Sequence, residues 1–269
     1  MAEEMRTGGG ADLSGLRVLV TRPLAQSEPL CREIERLGGQ AVALPALEIV
    51  AIERPDWRSV DAALSGKPDW IIPISANAAR YGQAAFIERL GGWPERPRVV
   101  AIGRATAACL TESGVRVDIF PEAGGDSEAL LARPELKGIK GQRILIIRGQ
   151  GGREHLAEGL RARGAIVAYL EVYVRRCPVD CERRLAALAA EKAVDVVTVT
   201  SGEALTNLVK AGRDGGCLPW LSSLPLVAIS PRIAASAREI GFQALVMVAE
   251  EMSDRGFILT LKGCYSKKP

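Results

Sequence analysis

Aromatic side chains are scarce in this chain, 4% of 269 residues, and histidine occurs once, at position 155. A core with so few rings must be filled by Val, Ile, Leu and Ala, which suits buried parallel sheets. The sequence also lacks a nucleophile elbow, a Walker loop and a carboxylate pair at catalytic spacing, so the usual acid–base sets are missing. Its six cysteines, Cys31, Cys109, Cys177, Cys181, Cys217 and Cys264, form no CxxC pair and no disulfide-like framework. That pattern fits a reducing cytoplasm. Pro178 interrupts Cys177 and Cys181 and no second pair exists, so no metal site is expected. No run approaches the roughly 18 apolar residues of a membrane span. The opening MAEEMRTGGGAD is acidic and glycine-rich with no apolar stretch, so a signal peptide is not expected. Residues 1–14 read as a disordered tail. A net charge of +3, with no dense Lys/Arg run, leaves no footprint for nucleic acid and a mild preference for an anionic small molecule.

What is present is ordinary globular composition, 48% hydrophobic and 25% charged, in a length comfortable for two domains. The chain also repeats itself. RVLVTRPLAQSEPLCREIERLGGQAVAL, from Arg17, parallels RILIIRGQGGREHLAEGLRARGAIVAYL, from Arg143. DWIIPISANAARYG parallels DVVTVTSGEALTNL, with Ser75 and Ser201 standing 126 residues apart. RVVAIGRATAACLTESGVRVDIF parallels PLVAISPRIAASAREIGFQALVM, with Gly114 and Gly241 standing 127 apart. Three blocks in one order at nearly constant spacing are not expected from chance likeness of βα units.

Each block reads as strand, turn, helix. Strands are expected at 17–21, 69–75, 98–103, 144–148, 195–200 and 226–230. Helices are expected near 25–37, 77–90, 105–113, 153–163, 202–211 and 232–240, with two more at 126–136 and 254–261. Gly38, Gly114, Gly164, Gly212 and Gly241 fall where a left-handed residue would end a helix. The strands lack alternation, so both faces should be buried, and strands alternating with helices imply an α/β class with parallel sheets. ALPALEIV, from Ala43, and AYLEVYVRR, from Ala168, are extended segments at matching places in the repeats. They suggest a pair of crossings between two lobes.

In open α/β sheets ligands sit beyond the carboxyl ends of the strands. The six strand-to-helix turns there are Thr21-Arg22-Pro23, Ser75-Ala76-Asn77, Gly103-Arg104-Ala105-Thr106, Arg148-Gly149-Gln150-Gly151-Gly152, Thr200-Ser201-Gly202 and Ser230-Pro231-Arg232. Four carry arginine, and helix N-termini offer free N–H groups, so the set favours carboxylate binding. The same Ser, Thr and Asn residues also serve as plain N-caps. The glycines of Arg148–Gly152, with Glu171 some 20 residues on, are a weak dinucleotide signal, because Glu154 stands where the third glycine belongs. His155, one turn into a helix, reads as a surface or packing residue rather than a base.

LVTRP, ISANAAR, AIGRAT, GVRVDIFPE with DSEALL, IRGQGGREHL, VYVRR, VTSGEAL and AISPRIA, in that order, resemble the uroporphyrinogen-III synthases over roughly residues 16–262. The resemblance implies two flavodoxin-like parallel-sheet lobes joined by a two-strand linker: lobe one from 15–44 plus 178–262, lobe two from 50–168, crossings at 45–49 and 169–177, and a tail at 263–269. It implies that each lobe completes its sheet with the first strand–helix unit of the opposite repeat. The implied substrate is hydroxymethylbilane, a linear tetrapyrrole with an acetate and a propionate on every ring, held by turns from both lobes. Its ring A hydroxyl leaves as water, ring D attacks through its substituted carbon to give a spiro intermediate, and the chain recloses with ring D inverted. The substrate's pyrroles supply the electrons, which fits the missing acid–base set and implies no cofactor. Tyr173 matches the tyrosine that would help the hydroxyl leave. Thr21, Arg22, Ser75, Asn77, Arg104, Thr106, Arg148, Gly149, Ser201, Gly202 and Arg232 are the expected substrate-binding residues. The family's last turn has threonines where this chain has Ile233, which cannot offer a hydroxyl. A cytoplasmic monomer is expected, with transient contact to hydroxymethylbilane synthase and none to membrane or nucleic acid. Two rival readings remain: a non-catalytic tetrapyrrole- or anion-binding regulatory module, and a nucleotide-dependent α/β enzyme using the glycine turn.

Overall fold

In a β-strand buried on both faces, successive apolar side chains enter two different cores. The computed structural model, which describes residues 13–65, 67–122, 124–152 and 154–265, has this arrangement twice. The chain divides into two lobes, Met1–Glu48 with Arg176–Pro269, and Ile49–Arg175. It begins in lobe one with β1 (Arg17–Val20), α1 (Leu24–Arg36) and β2 (Gln40–Ala43). Lobe two follows with β3 (Glu48–Ala51), α2 (Trp57–Leu64), β4 (Trp70–Pro73), α3 (Ala76–Leu90), β5 (Arg98–Val99), α4 (Arg104–Glu112), α5 (Ser127–Leu131), β6 (Arg143–Gly149), α6 (His155–Ala162) and β7 (Ile166–Arg176). Lobe one resumes with α7 (Cys181–Ala190), β8 (Val196–Val199), α8 (Gly202–Asp214), α9 (Leu218–Ser222), β9 (Leu226–Ala228), α10 (Pro231–Ile240), β10 (Val246–Val248) and α11 (Asp254–Tyr265).

The sheet orders are β10-β9-β8-β1-β2 and β3-β7-β6-β4-β5. β1 and β2 from the first repeat therefore share a sheet with the second-repeat strands β8, β9 and β10, and β6 and β7 from the second repeat share one with the first-repeat strands β4 and β5. The registers are identical after a shift of 126: Arg17 faces Gln40 and Val18 faces Val196 in one sheet, Arg143 faces Ile166 and Ile144 faces Trp70 in the other. In lobe one Leu19, Val197 and Val199 face α7, α8 and α10, while Val18, Val20 and Val196 face α1 and α11. In lobe two Ile72, Ile144 and Ile146 face α5 and α6, and Ile71, Leu145 and Ile147 face α2 and α3. The α/β class with parallel sheets, read from the absence of alternation, is the observed one.

Several expectations are corrected. Leu13, placed in the tail, is 1% exposed and packs with Leu30 and Ile34, because it is apolar and one turn from β1. Residues 1–12 and 266–269 lie outside the described residues. α11 extends through 263–265, which the sequence reading gives to the tail. The second crossing, expected at 169–177, is for most of its length sheet: β7 pairs with β6 from Ile166 to Tyr173. The first extended segment breaks into β2 and β3, which belong to different sheets. Gly212 does not end a helix. It lies inside α8, where a Cβ would stand 3.1 Å from Leu221, so its smallness admits α9. The helix expected at 126–136 stops at Leu131, and a 3-10 turn at Pro134–Leu136 follows. A proline disfavours helix in the residue before it, which ends α5 early.

β1 and β6 are each pinned where they begin. Arg17 donates to Asp195 through Nε at 3.0 Å and Nη2 at 2.8 Å, and its main-chain N–H meets the same carboxylate at 2.8 Å. Arg143 repeats this on Asp69 at 3.2, 3.0 and 2.8 Å. The Arg143 guanidinium and then its backbone N–H hold the Asp69 carboxyl below its ordinary range. A depressed folded-state pKa contributes stability above the unfolded value of about 3.9 and loses it as pH falls through the folded value. Asp69→Asn should therefore lower the urea midpoint at neutral pH, and the gap to the parent should narrow below about pH 4. A gap that stays constant through acid would mean that the charge on Asp69 contributes nothing.

Candidate active site

The carboxyl ends of the strands, opposite the Arg–Asp forks, carry the helix N-termini. In lobe two α3 starts at Ser75, whose Oγ accepts from Ala78 N–H at 3.0 Å. The same oxygen lies 3.3 Å from the Tyr173 hydroxyl. Tyr173 is held on β7 opposite Gly149 of β6, just past a register shift. Its ring packs against that glycine: a Cβ at 149 would stand 2.4 Å from Cε2. Tyr81, whose hydroxyl donates to the Ile49 carbonyl at 3.0 Å, supports the other side with ring centroids 5.6 Å apart. The phenol and Ser75 share a cavity of about 330 Å³ with Gly125, Asp126, Arg148 and Gly149.

Arg148 is buried beside this cavity. Its Nη1 donates to Glu154 at 2.8 Å, its Nε lies 3.5 Å from Glu171, and its guanidinium stacks 4.3 Å over the Tyr169 ring. Tyr169 donates its hydroxyl to the other Glu154 oxygen. The Tyr169 hydroxyl and then Arg148 pull the Glu154 carboxyl below its ordinary range, while burial and then Glu154 push the Tyr169 phenol up. Glu171 accepts from the Gly151 N–H at 3.2 Å. The glycine turn thus already holds two carboxylates of its own chain. A phosphate seated at the start of α6 would meet Glu154 there, which argues against the nucleotide reading.

On lobe one the corresponding turns are simpler. Ser201 caps α8 by accepting from Ala204 N–H at 3.1 Å. Arg232, at the start of α10, is exposed, and its Nη1 reaches within 4.0 Å of where a Gly202 side chain would begin. Arg22 is engaged by Asp254 at 2.6 Å. The Thr21 hydroxyl donates to the Thr198 carbonyl at 2.8 Å, binding β1 to β8.

The sequence matches the family described as uroporphyrinogen-III synthase HemD over residues 28–258, most of its length. The chain belongs to the uroporphyrinogen-III synthase family. It is 34% identical over 249 residues to the uroporphyrinogen-III synthase of Escherichia coli K12, covering 92% of this chain and 100% of that one. The Salmonella typhimurium LT2 protein of the same name is 35% identical with the same coverage. Among solved structures, a mutant uroporphyrinogen III synthase from the extremely thermophilic bacterium Thermus thermophilus superposes with a TM-score of 0.61 at 21% identity, over 94% of this chain and 100% of that one. The Helicobacter pylori 26695 uroporphyrinogen-III synthetase gives 0.54 at 13% identity, over 93% and 99%. At such identities these two speak for the fold alone.

Within this uroporphyrinogen-III synthase fold, the expected site residues fall into three groups. Ser75, Arg148, Gly149 and Tyr173 come together at the lobe-two cavity. Half-buried Asn77 lies on the first turn of α3, and Arg104 and Thr106 begin α4. Thr21, Arg22, Ser201, Gly202 and Arg232 occupy the strand ends of lobe one. Two of the expected arginines already have partners. Arg22 and Arg148 are each neutralised by carboxylates of their own lobe and hold turns in place. Thr21 likewise gives its proton to the sheet. Arg104 and Arg232 are exposed, and among the described residues no ion pair engages them, so these two remain open to an anion. Ile233 is buried in the lobe-one core and offers nothing polar. His155 is exposed, 3.5 Å from Glu128, outside the cavity lining. Burial pushes the Cys181 thiol up to about 12, which disfavours the thiolate that a metal would need.

Sequence reasoning missed Tyr81, Tyr169 and the Gly125–Ser127 wall. One signal was available: three of the chain's four tyrosines, Tyr81, Tyr169 and Tyr173, fall within lobe two. The split among the arginines is testable by stability. Arg148→Met leaves Glu154 and Glu171 without their cation and should cost about 2 kcal/mol in urea unfolding, less than a fully buried pair because Glu154 is partly solvated. Arg232→Met should change it by under about 0.5 kcal/mol. Equal losses would remove the distinction.

Proposed function

We propose that this chain is a cytoplasmic lyase that closes hydroxymethylbilane to uroporphyrinogen III, with loss of water and inversion of ring D. The observation that carries the reading, beside family membership, is the phenol of Tyr173 set into the wall of a cavity that Ser75, Asp126 and Arg175 also line. The difficult step is departure of the ring A hydroxyl. Electrons from the pyrrole nitrogen push the C–O bond open, the oxygen leaves with a proton as water, and the carbon skeleton is left as an azafulvenium cation. A phenol can donate a hydrogen bond to the departing oxygen. Ring D then attacks through its substituted carbon, the spiro intermediate fragments, and the chain recloses with that ring turned over. These later bonds form and break within the substrate, so the protein's contribution is to bind a folded conformer and favour positive charge near it.

Carboxylate binding is assigned to the exposed turns. Arg104 and Arg232 supply cations, while the first turns of α3, α4 and α8 supply N–H groups near Asn77, Thr106, Ser201 and Gly202. Sharing the load over many weak donors makes each one individually dispensable.

The test supplies hydroxymethylbilane to the pure protein and identifies the product isomer. Ring closure with ring D inverted supports the proposal. Tight binding of the tetrapyrrole without closure would instead favour the regulatory module. Turnover should persist after chelation, with no cofactor added, and recovery by a metal after a chelation loss would contradict this. Tyr173→Phe should lower kcat about 10- to 100-fold with KM changed less than about threefold, the pattern of a group acting in the transition state. An unchanged kcat would return Tyr173 to a packing role.

A further inference from the structure

Two residues beside Tyr173 are explained poorly by substrate binding. Ser75 spends one lone pair of its Oγ on the Ala78 N–H, and the phenol oxygen of Tyr173 stands 3.3 Å away. Gly149 has no positive φ that would demand glycine, yet any Cβ there would enter the Tyr173 ring at 2.4 Å. We propose that Ser75 and Gly149 are positioning residues, which set the place and proton direction of the Tyr173 phenol rather than holding a substrate carboxylate. The inference rests on the reading above, in which that phenol assists the leaving hydroxyl.

Either hydroxyl can donate across this contact, and the proposal is that Ser75 does. A serine hydroxyl has one proton and two lone pairs. With one lone pair taken by the helix cap, Ser75 can donate its proton to the Tyr173 oxygen. That oxygen then accepts, and the phenolic proton is released toward the cavity that both residues line. Gly149 fixes the other coordinate: with hydrogen as its side chain, the ring settles directly on the β6 backbone and is 6% exposed.

The internal duplication supplies a control within the same molecule. The repeat offset of 126 in the sequence equates Ser75 with Ser201, Tyr173 with Leu47 and Gly149 with Pro23. Ser201 makes the same cap as Ser75, at 3.1 Å. Lobe one therefore has the cap with an aliphatic residue in place of the phenol and with no glycine at the matching turn. The cap needs neither tyrosine nor glycine. Both are present only where the ring is.

The experiment labels tyrosine with 13C at Cζ and records spectra of the full chain, in which four tyrosines give four resonances. Tyr173 is assigned by its loss in Tyr173→Phe. Ser75→Ala and Gly149→Ala should move the Tyr173 resonance, whereas Ser201→Ala should not, although Ser75→Ala and Ser201→Ala should lower the unfolding midpoint alike because each loses one cap. With hydroxymethylbilane, Ser75→Ala should lower kcat about tenfold with KM within about twofold, and should add less than about twofold in the Tyr173→Phe background. Ser75→Thr, which keeps the hydroxyl, should recover most of kcat. A rise in KM that is equal in both backgrounds, with an unmoved resonance, would make Ser75 a carboxylate ligand and overturn the proposal. A kcat loss in Tyr173→Phe with an unmoved resonance in Ser75→Ala would overturn the positioning alone. Full turnover in Tyr173→Phe would overturn the role of the phenol and this inference with it.

Discussion

The exchange of the first strand–helix–strand unit between the two sequence repeats is the constraint on which the rest depends. β1 can complete its sheet only between β2 and β8, and β6 only between β4 and β7. Each exchange is pinned by an Arg–Asp fork at the amino ends of the paired strands, which fixes the register from its first residue. A one-residue slip would turn every apolar side chain to the wrong core. Because the strands run parallel, the forks at one end leave the helix N-termini together at the other. The ligand-facing end thus follows from the pinning. The exchange also orders assembly. Lobe two is one contiguous stretch, but the lobe-one fork joins residues 178 apart in sequence. Its closure must await residues beyond Arg176, and lobe two folding first shortens the flexible loop to be closed.

Charge at the strand ends is used in two ways. Arg22 and Arg148 are bound by Asp254, Glu154 and Glu171, so they stiffen turns and present little net field. Arg104 and Arg232 stay at the surface, where a cation contributes modestly to each carboxylate it meets. The cavity beside Tyr173 is different, because its hydroxyls are ordered by packing rather than by ion pairs.

This division explains what could be read from the sequence. Repeats, strand runs and the α/β class depend on local apolar pattern, and they were legible: β1, β4, β6 and β8 begin within a residue of the expected positions. Gly212 was misread because a glycine admitting α9 against α8 looks, in sequence, like one ending a helix. The second crossing was misread because an extended segment does not reveal whether a partner strand lies beside it. Arg148 invites an anion because its position is right, but its partners Glu154 and Glu171 converge on it only through the α6 start and β7. Charge pairing across elements is a tertiary fact: Glu154 stands in the turn sequence, but nothing there shows that its carboxylate turns back onto Arg148.

The duplication leaves one asymmetry that bears on how such a fold acquires chemistry. Two lobes with the same register, the same forks and the same serine caps would be equivalent binding halves. Lobe two departs at a few positions: tyrosine for Leu47, glycine for Pro23, and a threonine, Thr106, where lobe one buries Ile233. The first two changes depend on each other. A tyrosine without the glycine would have nowhere to lie, and the glycine without the tyrosine would leave a void on β6. The serine cap was already in place, since both lobes have it. A phenol in this place therefore needs only that coupled pair of residues beside a serine cap that both lobes share. Lobe one retains the form of that scaffold in which leucine fills the position and packs into the core.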